Sequence, residues 1–207
     1  MEIKIKVLNL YAGIGGNRKL WEGVEVTAIE YKQEIADIYK HFFPQDKIIV
    51  CDAHQYLLEH YKEFDFIWSS PPCPSHSRIR KCCAVERGQN EAIFPDMKLY
   101  EEILFLQGYF KGKWVVENVI SWYEPLIKPF ESGSHYFWSN FVIPNLNAKG
   151  REHNAKIDCL EKRKGFDLSS FKNLETDKKL LLRNCVEPEV GKDIFEAAFK
   201  HQQARLI

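Results

Sequence analysis

Short apolar runs alternate with helix-periodic stretches along most of this chain. Ile3 to Leu10 reads as a buried strand; Gly13, Gly15 and Gly16 break it, and Asn17 to Trp21 can begin a helix. Val24 to Ile29 predicts a second strand, Lys32 to Phe43 a helix stopped by Pro44, and Ile48 to Cys51 a third, short strand. His54 to Tyr61 suits another helix, Phe64 to Ser69 a fourth strand, Met97 to Phe110 a long amphipathic helix, and Trp114 to Val119 a fifth strand. Such alternation predicts an α/β fold, a mostly parallel sheet flanked by helices. Ser134 to Ile143 then looks like a strand rich in aromatics, and Pro144 opens a polar stretch without clear period that reaches about Asp177. Lys178 to Arg183 and Gly191 to His201 read as helical.

Composition narrows the class. With 207 residues, 45% hydrophobic and 14% aromatic, the chain can build one sizeable core, so one principal domain is expected. No apolar run approaches the roughly 20 residues of a membrane span, and the charged start Met1-Glu2-Ile3-Lys4 is not a secretory signal. A soluble, cytoplasmic protein without membrane contact is the expectation. Basic and acidic residues balance at 29 each, so any contact with a polyanion needs a local patch. The 6 cysteines include no CxxC pair, which argues against a zinc knuckle, and no metal is expected.

Two stretches carry chemistry. In "LYAGIGGN", Leu10 to Asn17, glycines let the backbone approach a ligand, and a following helix would offer its N-terminal N–H groups. Arg18 stands where a dinucleotide fingerprint needs its third glycine, which disfavours NAD; a plain strand-to-helix turn fits the stretch too. Glu30 and Asp52 follow the second and third strands at the edge where open α/β sheets bind ligands, placed to accept from ribose hydroxyls and an adenine amino group. In "SSPPCPSHS", Ser69 to Ser77, each X-Pro bond restricts the residue before it, so the Cys73 thiol is held in a stiff loop after a strand. That points to a nucleophile. "VVENV", Val115 to Val119, sets Glu117 and Asn118 into an apolar strand, costly unless both side chains are used.

In this order, "NLYAGIGGN" with Glu30 and Asp52, "SSPPCPSHS", "VVENV", "HYFWSNF" and "LRNCVEPEVGKDIFEA" resemble the DNA (cytosine-5)-methyltransferases. The resemblance covers Val7 to about Ile143 and Leu182 to Ala198. It implies a Rossmann-like methyltransferase fold and the cofactor S-adenosyl-L-methionine. On it, Tyr11, Gly13 and Gly15 line the methionine end, Glu30 the ribose and Asp52 the adenine, with Ala12, Ile14, Gly16, Tyr31 and Ala53 as further cofactor contacts. Pro71 forms the floor, and Asn184 and Val186 close the pocket. Cys73 is the nucleophile, Glu117 engages N3 and the amino group of a flipped or unpaired cytosine in DNA, and Asn118 completes the catalytic set. Ser75, Ser77, Arg78, Arg80 and Arg151 are candidate substrate contacts.

The chain departs from the family in two places. Family members carry arginines just ahead of the aromatic strand, one of which touches the cytosine, whereas here Ser134 and His135 stand there; Arg78, Arg80 or Arg151 are candidate replacements. A substantial target-recognition domain normally precedes the final asparagine block, and only about Pro144 to Leu181 is available, too short for an independent core. Lys149, Arg151, Lys156, Lys162, Arg163 and Lys164 in it form a basic run that can meet phosphates or simply be solvated. The expected layout is a catalytic domain over 1–143, the short basic segment over 144–181 and a returning C-terminal block over 182–207. Reduced sequence discrimination, or a second protein supplying recognition, is expected. The competing readings are an RNA (tRNA-type) cytosine C5 methyltransferase and a catalytically idle subunit of a split enzyme.

Overall fold

A computed structural model describes residues 4–78, 81, 86–88, 91, 93–146 and 155–203. Arg80 and Arg151, and Lys149 of the basic run, lie outside them. Seven strands form one sheet in the order β3-β2-β1-β4-β5-β7-β6. They are β1 (Ile5–Leu10), β2 (Val24–Glu30), β3 (Lys47–Val50), β4 (Phe66–Ser69), β5 (Lys113–Val119), β6 (Phe130–Ser132) and β7 (His135–Ser139). The first five run parallel; β7 is antiparallel to β5, and β6 to β7. The helices are α1 (Gln33–Phe42), α2 (Ala53–His60), α3 (Lys98–Tyr109), α4 (Ile157–Lys164), α5 (Lys178–Asn184) and α6 (Pro188–Gln203), with a 3-10 turn at Tyr61–Glu63. The α/β reading therefore holds.

Alternation along each strand sends successive side chains to opposite faces. Val7, Phe66, Trp68 and Val115 pack with Tyr39 of α1 and Val190, Ile194 and Phe195 of α6. Leu8, Ile67 and Val116 pack instead with Leu57 of α2 and Leu99, Ile103 and Leu106 of α3. Both faces are covered, as a parallel sheet requires.

The helix expected from Asn17 is absent: residues 16–20 form successive turns, with Lys19 N donating to Gly16 O and Trp21 N to Arg18 O. Gly23 and β2 follow too closely to leave room for two helical turns and a crossing. Helix α6, far along the chain, covers this part of the sheet instead, and the Trp21 indole N–H donates to the Gly191 carbonyl at 3.0 Å.

The stretch after Pro144 is more ordered than its polar pattern predicts. Ala155, Leu160, Phe166 and Leu168 form a third apolar cluster with Ile14, Ile38, Leu181, Leu182 and Cys185, so the segment packs on the outer side of the glycine turn. Two of its basic residues are committed internally rather than to phosphates: Arg163 and Lys164 both pair with Glu187, at 2.6 and 2.7 Å, and the Lys164 ammonium also donates to the Cys185 carbonyl. Strand β6, which the sequence pattern did not reveal, is only three residues long, with Phe130 and Glu131 exposed and only Ser132 buried.

Candidate active site

The C-terminal ends of the parallel strands carry nearly all the predicted site residues. After β1 the backbone enters positive φ at Tyr11 and Gly13. A Cβ at Gly13 would meet nothing within 4 Å, so this turn leaves open space beside it, where a ligand can approach. Gly16 is the opposite case: a Cβ there would lie 2.2 Å from the Cys185 sulfur and 2.4 Å from the Val186 carbonyl oxygen, so only glycine lets the C-terminal block close on the turn. Ala12 and Ile14 are buried, with Ile14 in the third cluster rather than facing the open side.

Glu30 ends β2 and holds the turn from across the strand gap. Its carboxylate accepts from Gly13 N at 3.0 Å and from Tyr31 N and Lys32 N at 2.9 and 3.2 Å. Tyr31 is largely exposed beside it. Asp52 caps α2, accepting from Gln55 N at 2.9 Å, and the exposed side chain has further lone pairs to offer. Asn184 is exposed at the end of α5, and half-buried Val186 stands against Gly16.

One residue here was missed. Glu102 of α3 is fully buried and accepts from the Tyr11 hydroxyl and the Ser69 hydroxyl, each at 2.6 Å, and contacts His54 Nδ1 at 3.1 Å. A single carboxylate thus ties the glycine turn, the helix that follows Asp52, and the strand that leads to Cys73. Burial, reinforced by the Glu102 charge, pushes the Tyr11 hydroxyl far above its ordinary pKa, and the hydrogen bond to Glu102 raises that of His54 against the opposing effect of burial. The signal was legible: Glu102 stands among Leu99, Ile103 and Leu106 on the apolar stripe of its helix.

The proline loop that carries Cys73 follows β4, whose Ser69 lies opposite Val116 of β5, so the loop leaves the sheet beside the strand that holds Glu117 and Asn118. Buried Asn118 donates its amide to the Pro71 carbonyl at 3.0 Å and accepts from Val119 N at 2.9 Å, which fixes the proline backbone to the neighbouring strand. The Cys73 carbonyl then accepts from His76 N and Ser77 N, both at 3.0 Å, so the chain turns just after the thiol and leaves it half-exposed. Pro71 is buried beneath.

Ser75 and Ser77, candidate substrate contacts, serve the loop itself. Ser75 is buried, its hydroxyl accepting from Asp96 N at 3.0 Å and its carbonyl from the Trp122 indole at 3.1 Å, and Ser77 bridges to Ser121. His76 is buried against the Tyr123 hydroxyl at 2.6 Å, and burial lowers its pKa. Arg78 is exposed, and its positive charge partly offsets the burial that raises the Tyr136 pKa on β7. Glu117 is 7% exposed and lies 3.5 Å from His135 Nε2. Burial pushes the Cys185 thiol up to about 12, so it stays protonated at neutral pH. A separate cavity of about 450 Å³, lined by Trp114, Ser139 and Phe141 among others, opens at the opposite end of the sheet and takes no part in this constellation.

The family model for C-5 cytosine-specific DNA methylases matches residues 5–119, more than half of the chain. This chain belongs to that family. S-adenosylmethionine is the cofactor of that family, and the residues present fit it: open space beside Gly13, carboxylates at Glu30 and Asp52, and an exposed aromatic face at Tyr31. The methylase is 32% identical over 83 residues to a Spodoptera frugiperda protein named tRNA (cytosine(38)-C(5))-methyltransferase, and 33% identical over 82 residues to the Homo sapiens protein of the same name. These matches take in 37% and 36% of the methylase and 25% and 21% of those relatives, so it spans about a quarter of their length. Its fold is similar to that of an Entamoeba histolytica methyltransferase, with TM-score 0.57 at 11% identity over 97% of this chain and 99% of that one. Among the described residues, no helix is long and apolar enough to cross a membrane, and no cluster of metal-binding side chains occurs.

Proposed function

We propose that this methylase transfers a methyl group to C5 of cytosine in DNA, with Cys73 as nucleophile. The observation that carries the reading is the half-exposed thiol on a proline loop locked by Asn118, one strand from the buried carboxylate of Glu117. C5 of cytosine is a weak nucleophile. Addition of the Cys73 thiolate at C6 converts the ring to an enamine whose C5 can attack, while Glu117 engages N3 and the amino group and stabilises the adduct. S-adenosylmethionine, when bound, supplies the electrophilic methyl group. Loss of the C5 proton to solvent then expels the Cys73 thiolate, a competent leaving group. Because C6 is out of reach inside a stacked duplex, the cytosine must be flipped out or unpaired.

Residues 1–143 supply this machinery, 144–181 stand in place of a recognition domain, and 182–207 return to the cofactor turn. With so short a middle segment, sequence discrimination is low or rests on a second protein. RNA is the second reading, favoured by the tRNA (cytosine(38)-C(5))-methyltransferase names of the two relatives. Transfer of tritiated methyl groups to DNA and to total tRNA by the purified chain, followed by bisulfite sequencing of the labelled pool, decides between them. Label in DNA at cytosine C5 supports the first reading, and label confined to tRNA supports the second. A chain that binds S-adenosylmethionine yet labels neither, and forms no adduct with DNA containing 5-fluorocytosine, is an idle subunit.

A further inference from the structure

The buried carboxylate of Glu117 has one basic neighbour recorded among the described residues, His135, whose Nε2 lies 3.5 Å from Oε1. That distance is an ion-pair contact rather than a hydrogen bond. The imidazole is held firmly. Strands β6 and β7 are joined by a two-residue turn, Gly133-Ser134, with Gly133 at φ 61°, so His135 is the first residue of β7 and pairs opposite Val119. The Ser134 hydroxyl lies 3.3 Å from Nδ1, leaving Nε2 aimed at the carboxylate. The ring is about a third exposed, whereas Glu117 is nearly covered. The imidazole can therefore exchange protons with solvent while its partner is shielded.

We propose that His135 is a positioning residue for Glu117 and makes that positioning pH-dependent. As imidazolium it holds the carboxylate in place at the strand end by charge; as neutral imidazole it leaves only a long contact. The inference rests on the methyl-transfer reading for its effect on turnover, but the pairing itself does not. Glu117 on β5 is the charged group recorded on the same face of the sheet as His135, with uncharged Val119 and Ser132 directly opposite it; Glu131 of β6 and Arg78 act instead on Tyr136, whose side chain alternates to the other face. The Glu117 carboxylate favours the imidazolium by its charge. Histidine is the side chain whose ordinary titration falls near neutrality, so the control acts in the physiological range.

Two measurements on the full chain test this. In the first, the His135 imidazole is titrated by ¹⁵N NMR, its resonance assigned by its loss in His135→Gln. Its midpoint is expected to drop by about one pH unit in Glu117→Gln, which keeps the size of the side chain and removes its charge. An unmoved midpoint overturns the proposal, whether or not the chain methylates anything. In the second, methyl transfer is followed against pH. The wild type should show a loss of kcat toward high pH that His135→Arg, with a permanent cation, removes. His135→Gln should be slower than the wild type by about tenfold or more at low pH and converge with it as pH rises, with affinity for S-adenosylmethionine unchanged. Equal pH profiles for the wild type and His135→Arg overturn the positioning role. A wild-type chain without activity on any nucleic acid would instead strike the methyl-transfer reading, and the NMR titration would still decide the pair.

Discussion

On the glycine-turn half of the sheet edge, two acidic groups that meet the turn are gripped by several donors each. Glu30 receives three backbone N–H groups between 2.9 and 3.2 Å, and Glu102 receives two hydroxyls at 2.6 Å and meets an imidazole at 3.1 Å. On the other half, Glu117 has an imidazole at 3.5 Å, and the proline loop that carries Cys73 is tied to the neighbouring strand by the Asn118 amide on the Pro71 carbonyl. On the proposed methyl transfer, the difference matches what each half would have to do. A cofactor of constant shape is met best by a preformed cradle, since ordering side chains on binding costs affinity. A reacting base changes charge during the reaction, so the groups around it have to answer that change.

The sharpest way to break the comparison is to remove the reacting atom while leaving the loop alone. Cys73→Ser should abolish methyl transfer, by at least about a thousandfold, and abolish the 5-fluorocytosine adduct, yet bind S-adenosylmethionine as the wild type does. Calorimetric titration checks the binding. A parallel loss of cofactor affinity would show that the two halves are not separable.

On the glycine-turn half the corresponding change is Glu102→Ala. It leaves the Tyr11 and Ser69 hydroxyls and His54 without their common partner, and a buried group so orphaned typically costs about 1 to 3 kcal/mol each. We expect a loss of roughly 3 kcal/mol in urea unfolding, together with a weaker affinity for S-adenosylmethionine, because Tyr11 and the start of α2 are no longer tied together. Gly16→Ala acts on the same half by sterics. Its new methyl would meet the Cys185 sulfur and the Val186 carbonyl, so the C-terminal block must shift, at an expected cost of about 1 to 3 kcal/mol. Denaturation of the two variants, compared with Gly13→Ala, separates contact from backbone strain: at Gly13 only the positive φ resists the change.

Much of this division could be read from residue order. The strands alternate or run apolar as buried parallel strands do, and Glu30, Asp52, Cys73 and Glu117 each follow or end one, so the strand edge was legible. The helix after the glycine turn was not, because Asn17 to Trp21 has acceptable helical residues and the competing fact is distant: α6 fills that place and its Gly191 packs on Asn17. Helix α4 was hidden for a related reason. Its lysines and arginine look solvated in isolation, and only the chain's return brings Glu187 to Arg163 and Lys164. The roles of Ser75 and Ser77 were obscured because their partners, Asp96, Trp122 and Ser121, come from segments with no regular period. Tertiary contact, not local preference, decided each of these.

The smallest expected effect tests the cofactor cradle from its charge. The Glu102 hydrogen bond raises the His54 pKa, so the folded state binds this proton more tightly than the unfolded chain. The resulting stability is fully present below the ordinary histidine range, near pH 6.5, and is lost as pH rises through the higher folded value. His76, whose pKa burial lowers, works in the opposite sense and loses stability as pH falls, so the total slope of the wild type is a difference between the two. Replacing His54 alone exposes the first contribution. His54→Gln should therefore be more destabilising at pH 6 than at pH 8 by urea unfolding, and that pH difference should vanish when Glu102→Gln is the background. If it persisted there, the raised pKa would have another source, and Glu102 would join the turn to α2 through hydrogen bonds alone.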